Sequence, residues 1–557
     1  MTALARRRIS EAVIAYGNGP LKGKGEGLRF ADEVRTKRLR WGVSPLETHV
    51  LTGDLYRRYM DNGGQFDGES LSVLREVHSS SDNPLSVRSS EEGENNPCLP
   101  TSGDNASYML PNNHPDAEKR FGQFLQAVRH IFKQFNWKML GRNAEGETLR
   151  GNTEGEIDVV VSPIHGVLDN TRAGPFYYPM SAGVADWLLY YPVADCGIDG
   201  GVARVVFGHG YGAVKADSGV QAIPFLPIRK PFDTCGIRSG QTLFYAIDME
   251  KNSALSGDPM ETMSVLNVDL AGIHANHFGP THRGLNFSGL IGKNHFGYAA
   301  GLWSIMEALA AESKGPFQIE FIFNIFDKMG RFHIVQYKSM PDLLSEPVEI
   351  PDDGRHVFLS TDRVLGHGVK EGLKHAVAIS PFNYSKKMHA EVVQKLRQMN
   401  EMMKGRGEKY ILVVPGRVGT MDLEWGINVD FSAISQAAVV VEYGYDIHGG
   451  PDIPRMRQEM TGGMYGSHFL YQALGGAAED ARIRELRMRG SQGTHFLTNL
   501  ITARMIYLHI DPTINKLDTE WFFSPPEGEE NSAIYLKRFD SQVTCYADLG
   551  KKWCEIK

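Results

Sequence analysis

From Gly315 to Lys338 the chain reads GPFQIEFIFNIFDKMGRFHIVQYK. Phe317, Ile319, Phe321 and Phe323 alternate with other residues, DKMG supplies turn chemistry, and Phe332, Ile334 and Gln336 resume the alternation. A period of two on both sides of a turn predicts a β-hairpin. With the turn centred on Lys328, Glu320 lies opposite Gln336 and Gln318 opposite Lys338. Directly opposed residues share a face of the sheet, so a carboxylate, an amide and an ammonium converge. Such a face reads either as a solvated ion pair, which contributes little, or as a metal and phosphate site.

The same patterning organises the rest of the chain. Apolar positions recur at helical spacing in DAEKRFGQFLQAVRHIFKQF (116–135), predicting an amphipathic helix, and GLWSIMEALAAESK (301–314) predicts a helix leading into the hairpin. EIDVVVSPIHG (156–166) and GVARVVFGHGYGAV (201–214) read as buried strands, the second ending in glycines. Residues 78–107 are rich in Ser, Asn, Asp and Gly and read as loop around one short strand, PLSVRSS. SEPVEIPDDG reads as a linker, which puts a boundary near 345. Beyond it KKMHAEVVQKLRQMNEMMKG predicts a helix, and KYILVVPG and AAVVVEYG predict strands. The fold class expected is α/β, mixed α+β.

Composition narrows the function classes. A chain of 557 residues holds roughly three or four structural units. Hydrophobic content of 42% and charged content of 22% describe a soluble globular protein. Net charge is −7 and no dense basic block occurs, which argues against a nucleic-acid partner. The N-terminal segment has no sustained apolar region and no run reaches the length of a membrane span, so neither secretion nor a membrane partner is expected. Five cysteines (Cys98, Cys196, Cys235, Cys545 and Cys554) form no C-x-x-C pair and read as reduced thiols of a cytoplasmic protein.

Several short stretches carry candidate chemistry. GPLKGKGEGLRFADEV (19–34) sets Lys24 among Gly23, Gly25 and Gly27, just before a predicted helix. Glycines let backbone approach a phosphate, a helix N-terminus favours anions, and lysine adds a point charge. The spacing is not that of a Walker A loop. PLSVRSS places Arg88 near a strand end as a candidate phosphate fork. GHGYGAV (208–214) is a further Gly-rich turn. His274, His277, His282 and His295 have spacings that a metal site would accept, but no cysteine or carboxylate cluster accompanies them. In VPGRVGTMDLEWG (414–426), Arg417 lies between glycines at the end of an apolar strand, a place where α/β units bind ligands. With His495 and Asn499 of SQGTHFLTN it makes a candidate acceptor site.

The order of these elements resembles the nucleotide-binding module of the pyruvate, phosphate dikinase and phosphoenolpyruvate synthase family. The blocks PLSVRSS…SYMLPNN, PFYYPMSAGVADWLLYYP and GPFQIEF…HIVQYK are similar to successive blocks of that family's ATP-grasp domain, over residues 15–340. YILVVPGRVGTMDLEWGINVDFSAISQAAVVVE and GSQGTHFLTNL resemble a C-terminal segment of dikinase-like proteins. The resemblance implies an ATP-grasp N-terminal lobe over 1–150, a C-terminal lobe over 151–345, and a separate α/β domain over 346–557. It implies ATP and Mg²⁺ (or Mn²⁺) as cofactors, held by Lys24, Arg88 and Gly103 on the nucleotide side and by Glu320 and Gln336 at the metal. Lys24, Arg88 and Lys338 become the catalytic cations. Lys338 stands where the family usually has arginine, Tyr211 where synthases often have glutamate, and Ser162 where relatives often have glutamine. The family's Gly-Gly-x-Thr-x-His motif and pyruvate barrel are missing. The function expected is therefore an ATP-dependent kinase or phosphotransferase acting on an unidentified acceptor, either a small molecule or a histidine of a phosphohistidine-bearing partner protein. An ATP-grasp carboxylate ligase working through an acyl phosphate and a degenerate nucleotide-binding sensor or scaffold are the alternatives.

Overall fold

The computed structural model describes residues 4–39, 42–97, 107–139, 155–188, 201–214, 220, 222–227, 241–251, 255–270, 277–278, 280–281, 284–343, 347–362, 364–419, 423, 426–443, 494–510, 515–551 and 553–557. The protein is of the mixed α/β class, as the patterning predicts. Its first sheet contains β1 (Arg6–Arg8), β2 (Val13–Tyr16), β3 (Thr48–Leu51), β4 (Leu85–Ser90), β5 (Ser107–Leu110) and β6 (Asp158–Pro163) in the order β1-β2-β3-β6-β4-β5. β2 and β3 are parallel, and helix α1 (Gly23–Arg38) makes the crossover between them. Helices α2 (Gly53–Asp61), α3 (Gly68–His78) and α4 (Ala117–Met139) follow in the same unit. The apolar face predicted for 116–135 is the buried one: Phe121, Phe124, Val128 and Phe132 of α4 pack on Tyr56, Val87 and Tyr108.

A second sheet is antiparallel throughout, in the order β11-β10-β9-β16-β17. Its strands are β9 (Ser181–Asp186), β10 (Val202–Phe207), β11 (Ile223–Phe225), β16 (Phe317–Phe326) and β17 (Met329–Ser339). Beside it β7 (Val167–Thr171), β8 (Gly174–Tyr178), β12 (Leu243–Asp248) and β13 (Met263–Asn267) form a four-stranded sheet, and β14 (Pro280–Thr281) pairs β15 (Gly284–Leu285). A short helix α5 (Tyr211–Val214) follows the glycines of GHGYG, and α6 (Tyr298–Ala310) precedes the hairpin.

The opposed pairs Glu320–Gln336 and Gln318–Lys338 form as expected, but by a different count. The turn residues are Asp327 and Lys328, both with positive φ (48° and 64°), so the hairpin closes one half-step earlier than a turn centred on Lys328. The register then shifts between Glu320 and Phe321, where Val335 is the extra residue. This bulge restores Gln336 to Glu320's face while Ile334 stays with the aromatic core. That core ties the two units: Ala31 and Val34 of α1 pack with Phe317, Phe321, Phe323 and Phe332. The Phe332 backbone also bonds Gly42 O and Ser44 N, each at 2.8 Å.

The remaining residues build a nine-stranded mixed sheet from β18 (Leu359–Thr361), β19 (Val364–Leu365), β20 (Gly368–Ile379), β21 (Tyr410–Pro415), β24 (Ala437–Tyr443), β25 (Ile506–Ile510), β26 (Lys516–Leu517), β27 (Ile534–Asp548) and β28 (Trp553–Ile556). The central β21, β24 and β25 are parallel and mostly apolar, and β20 runs parallel to β21 over His375–Ala378. Helix α7 (His389–Arg406) covers one face and α8 (Thr494–Thr502) another part of the core. A separate ribbon pairs β22 (Arg417–Val418) with β23 (Gly426–Ile427). Leu188, Val202, Leu226, Met340 and Leu343 share one hydrophobic cluster with Leu412, Val440, Leu497 and Leu500. Of the expected linker, 345–354, residues 345 and 346 lie outside the described residues, and 347–354 carry neither helix nor strand, with Val348 buried. The Cys545 and Cys554 thiols on β27 and β28 are buried with their sulfurs 3.5 Å apart.

Candidate active site

The VRSS motif is the hinge point of the site. β4 delivers its last three residues to three different tasks. The Ser90 hydroxyl donates to Lys22 O (2.6 Å) and accepts from Gly25 N (3.3 Å), so it fastens the first turn of α1. The Ser89 carbonyl accepts from Lys24 Nζ at 2.9 Å. Arg88 reaches across to the second sheet: one terminal nitrogen donates to Val335 O (2.9 Å), and the other to Glu320 Oε2 (3.1 Å) and Gln336 Oε1 (2.5 Å). Val335 is the bulged residue, so the irregularity in the hairpin is what Arg88 grips. Arg88 Nε is buried and has no acceptor among the described residues.

Lys24 lies inside the first turn of α1 and not ahead of the helix, because Gly23 already begins it. The Lys24 ammonium is buried on the Glu94 carboxylate, which a short 3-10 turn over Glu92–Asn95 supplies. Burial pushes the pKa of Lys24 down, ahead of the opposing effect of Glu94, and Arg88 adds to the lowering while Glu320 counters it. Glu320 behaves differently. Burial works against its charge, yet Arg88, His495 and Lys24 together hold its carboxyl below the ordinary value. These mutual influences bring Lys24, Arg88 and Glu320 into one electrostatic cluster, drawn from residues 24, 88 and 320 of the chain.

Strand pairing extends the polar face. Glu320 lies opposite Gln336 on one side and Val184 on the other, and Val184 lies opposite Arg204. One step along, Gln318 lies between Lys338 and Asp186. Gln318 donates to Asp186 Oδ1 at 2.6 Å and Arg204 donates to Asp186 Oδ2 at 3.2 Å. Burial raises the pKa of Asp186 despite both donors. Lys338 is buried on the same face. Gln318 also donates to Thr498 Oγ at 3.1 Å, which anchors α8 of the C-terminal unit to this sheet. His495 lies one helical turn before Thr498, so it shares that face of α8 and is felt by Glu320.

Of the C-terminal trio, His495 thus meets the site, and Asn499 is buried beside it on α8. Arg417 is described only as backbone in β22; its loop abuts α8, since a Cβ on Gly419 would lie 2.9 Å from the Phe496 ring. Gly103, Asp422, Glu424 and Trp425 lie outside the described residues. Tyr211 stacks edge-on against Tyr245, ring centres 5.0 Å apart. Ser162 is buried and shares a hydrogen bond of 3.1 Å with Thr48. His274 and His282 are also outside the described residues, His277 and His295 are exposed, and no group of three or more metal-ligating side chains occurs among the described residues.

Sequence reasoning missed Glu94, Asp186, Arg204 and His209. Asp186 and Arg204 stand within otherwise apolar strands, SAGVAD and VARVVF, and that interruption was the available signal. His209, in the Gly-rich turn, accepts from Tyr211 N at 3.3 Å through Nδ1. Its desolvated position pushes the imidazole down to about 4, and Arg88 contributes to the lowering.

The oxygens that a magnesium ion could take, Glu320 Oε2 and Gln336 Oε1, both accept from Arg88 in this structure. Glu320 and Gln336 offer hard oxygens from neighbouring strands, and the surrounding cations keep Glu320 ionised. Magnesium commonly takes only one or two protein oxygens and fills its shell with water and phosphate. Among the described residues no helix is long and apolar enough to cross a membrane. A scan against protein-family models finds no match for the chain, and a search of curated proteins finds none either.

Proposed function

We propose that this chain is an ATP-dependent phosphotransferase of the dikinase-like ATP-grasp type, acting on a separate acceptor. The observation that carries the reading is the meeting of Lys24, Arg88, Glu320 and Gln336 at one place, with a buried Arg88 Nε that has no acceptor among the described residues. Phosphoryl transfer asks for little covalent chemistry from a protein; it asks for positioning and neutralisation of charge. Lys24 and Arg88 would bind nucleotide phosphates, with Lys338 as a further cation on the same face. Glu320 and Gln336 would hold Mg²⁺, which supplies neutralisation of the charge on the transferring group. In this reading Arg88 moves from the two metal-binding oxygens to phosphate, which also offers an acceptor to its Nε. The acceptor would enter along α8 and the Arg417 loop, where His495, Asn499 and Arg417 belong to adjoining segments. The reduced Cys545–Cys554 pair fits a cytoplasmic setting.

A second reading has an observation of its own. Both cations already rest on carboxylates, Lys24 on Glu94 and Arg88 on Glu320, which suits a degenerate nucleotide-binding scaffold. Incubation with Mg-ATP and product analysis separate the two. ADP or AMP released in a Glu320-dependent manner supports transfer; nucleotide binding without product supports the scaffold.

A further inference from the structure

Glu94 occupies the place where an anion would be expected. It lies on the first turn of a sixteen-residue helix, against the one lysine of that turn. The fit is close: a Cβ on Gly23, whose φ is +37°, would lie 2.3 Å from Glu91 O and 2.8 Å from Glu94 Oε2. Only glycine lets residues 91–94 settle onto the helix end in this way. Both partners of the ion pair are buried, and the carboxylate is supplied by a four-residue 3-10 turn.

We infer that Glu94 is a built-in competitor for nucleotide phosphate, an internal carboxylate that holds Lys24 closed until Mg-ATP displaces it. The inference rests on the reading of this cluster as a nucleotide site. A single carboxylate neutralises one positive charge, whereas a metal-bound triphosphate brings more negative charge and more acceptor oxygens to Lys24, the α1 N-terminus and Arg88. The exchange is therefore favourable for a polyphosphate and not for a monoanion. Its structural consequence is a release of the 91–97 segment when nucleotide binds. Because Ser90 stays fastened to the first turn of α1, the movement starts after β4 and leaves the sheet intact.

Two measurements test this. Titration calorimetry with Mg-ATP should show Glu94→Gln binding at least tenfold more tightly than the unaltered protein, with the gain lost in Lys24→Met/Glu94→Gln. Hydrogen exchange on the unaltered protein should show faster exchange across 91–97 when Mg-ATP is saturating, and no such change with inorganic phosphate at the same concentration. If the unaltered protein binds Mg-ATP while Glu94→Gln binds no better and exchange across 91–97 is unchanged, the competitor role is wrong and the nucleotide reading stands. If neither protein binds Mg-ATP, both ideas fall. Should Glu94→Gln not fold, the exchange measurement on the unaltered protein decides alone.

Discussion

Two buried cation–carboxylate pairs lie side by side in this protein, and they are built on opposite principles. Lys24 and Glu94 belong to the same unit, and burial still pulls the lysine away from its charged form. Arg88 and Glu320 come from two different sheets, and there the balance favours the charge, since Glu320 is held below its ordinary pKa. The second pair also has Gln336 and Val335 O to complete it. Burying an ion pair is favourable only where further hydrogen bonds support it; Lys24 has Ser89 O besides Glu94, so the two pairs differ in which way burial and neighbouring charge shift the ionisable group. In the first, burial outweighs the carboxylate and lowers the lysine's pKa. The second is a clasp between sheets.

The comparison breaks most visibly at the clasp. Arg88→Ala leaves Glu320 without its main cation and should destabilise the protein by about 3–5 kcal/mol in chemical denaturation. Replacing the other pair together, as Lys24→Met/Glu94→Gln, removes both charges and should leave stability unchanged or raise it by about 1–4 kcal/mol. A large loss from that double variant would show that the two pairs are alike after all. Gln318→Ala removes the link from Asp186 to Thr498 and should cost about 1–3 kcal/mol, with faster hydrogen exchange in residues 494–502. Unchanged exchange there would detach α8 from the site.

The pH dependence gives a smaller and more selective effect. Glu320 has a folded pKa below its unfolded value, so the unfolded chain binds more protons in that window. Its stabilising contribution is complete above the unfolded value and is lost as pH falls through the folded one. Glu320→Gln should flatten this part of the acid limb. Lys24 is also lowered, so its window lies on the alkaline side, and stability should rise there as pH climbs toward the ordinary lysine value. Lys24→Met should remove that rise. A wild-type alkaline limb in the variant would mean that burial does not govern Lys24.

The sequence carried the hairpin and its opposed pairs because a period of two is a local signal that survives one bulge. The bulge itself was not visible: Val335 is an apolar residue in an apolar strand, and only the grip of Arg88 on its carbonyl explains the extra position. Lys24 and Arg88 stood out by their glycine and serine neighbours. Their partners did not, because Glu94 lies in a polar loop that reads as solvated, 70 residues from Lys24. The approach of His495 to Glu320 depends on the docking of α8 through Thr498, 180 residues from Gln318, and nothing local announces it. The class of fold was legible; the way two sheets and a distant helix share one polar face was a tertiary fact.

The most direct test of the central claim is the binding of ATP to the unaltered protein and to Arg88→Met, each with and without Mg²⁺, by titration calorimetry. If the cluster is a metal-nucleotide site, the unaltered protein binds ATP in a Mg²⁺-dependent manner and Arg88→Met, confirmed folded by its far-ultraviolet circular dichroism, binds at least tenfold more weakly. Absence of binding by the unaltered protein, or equal binding by the folded variant, would contradict it.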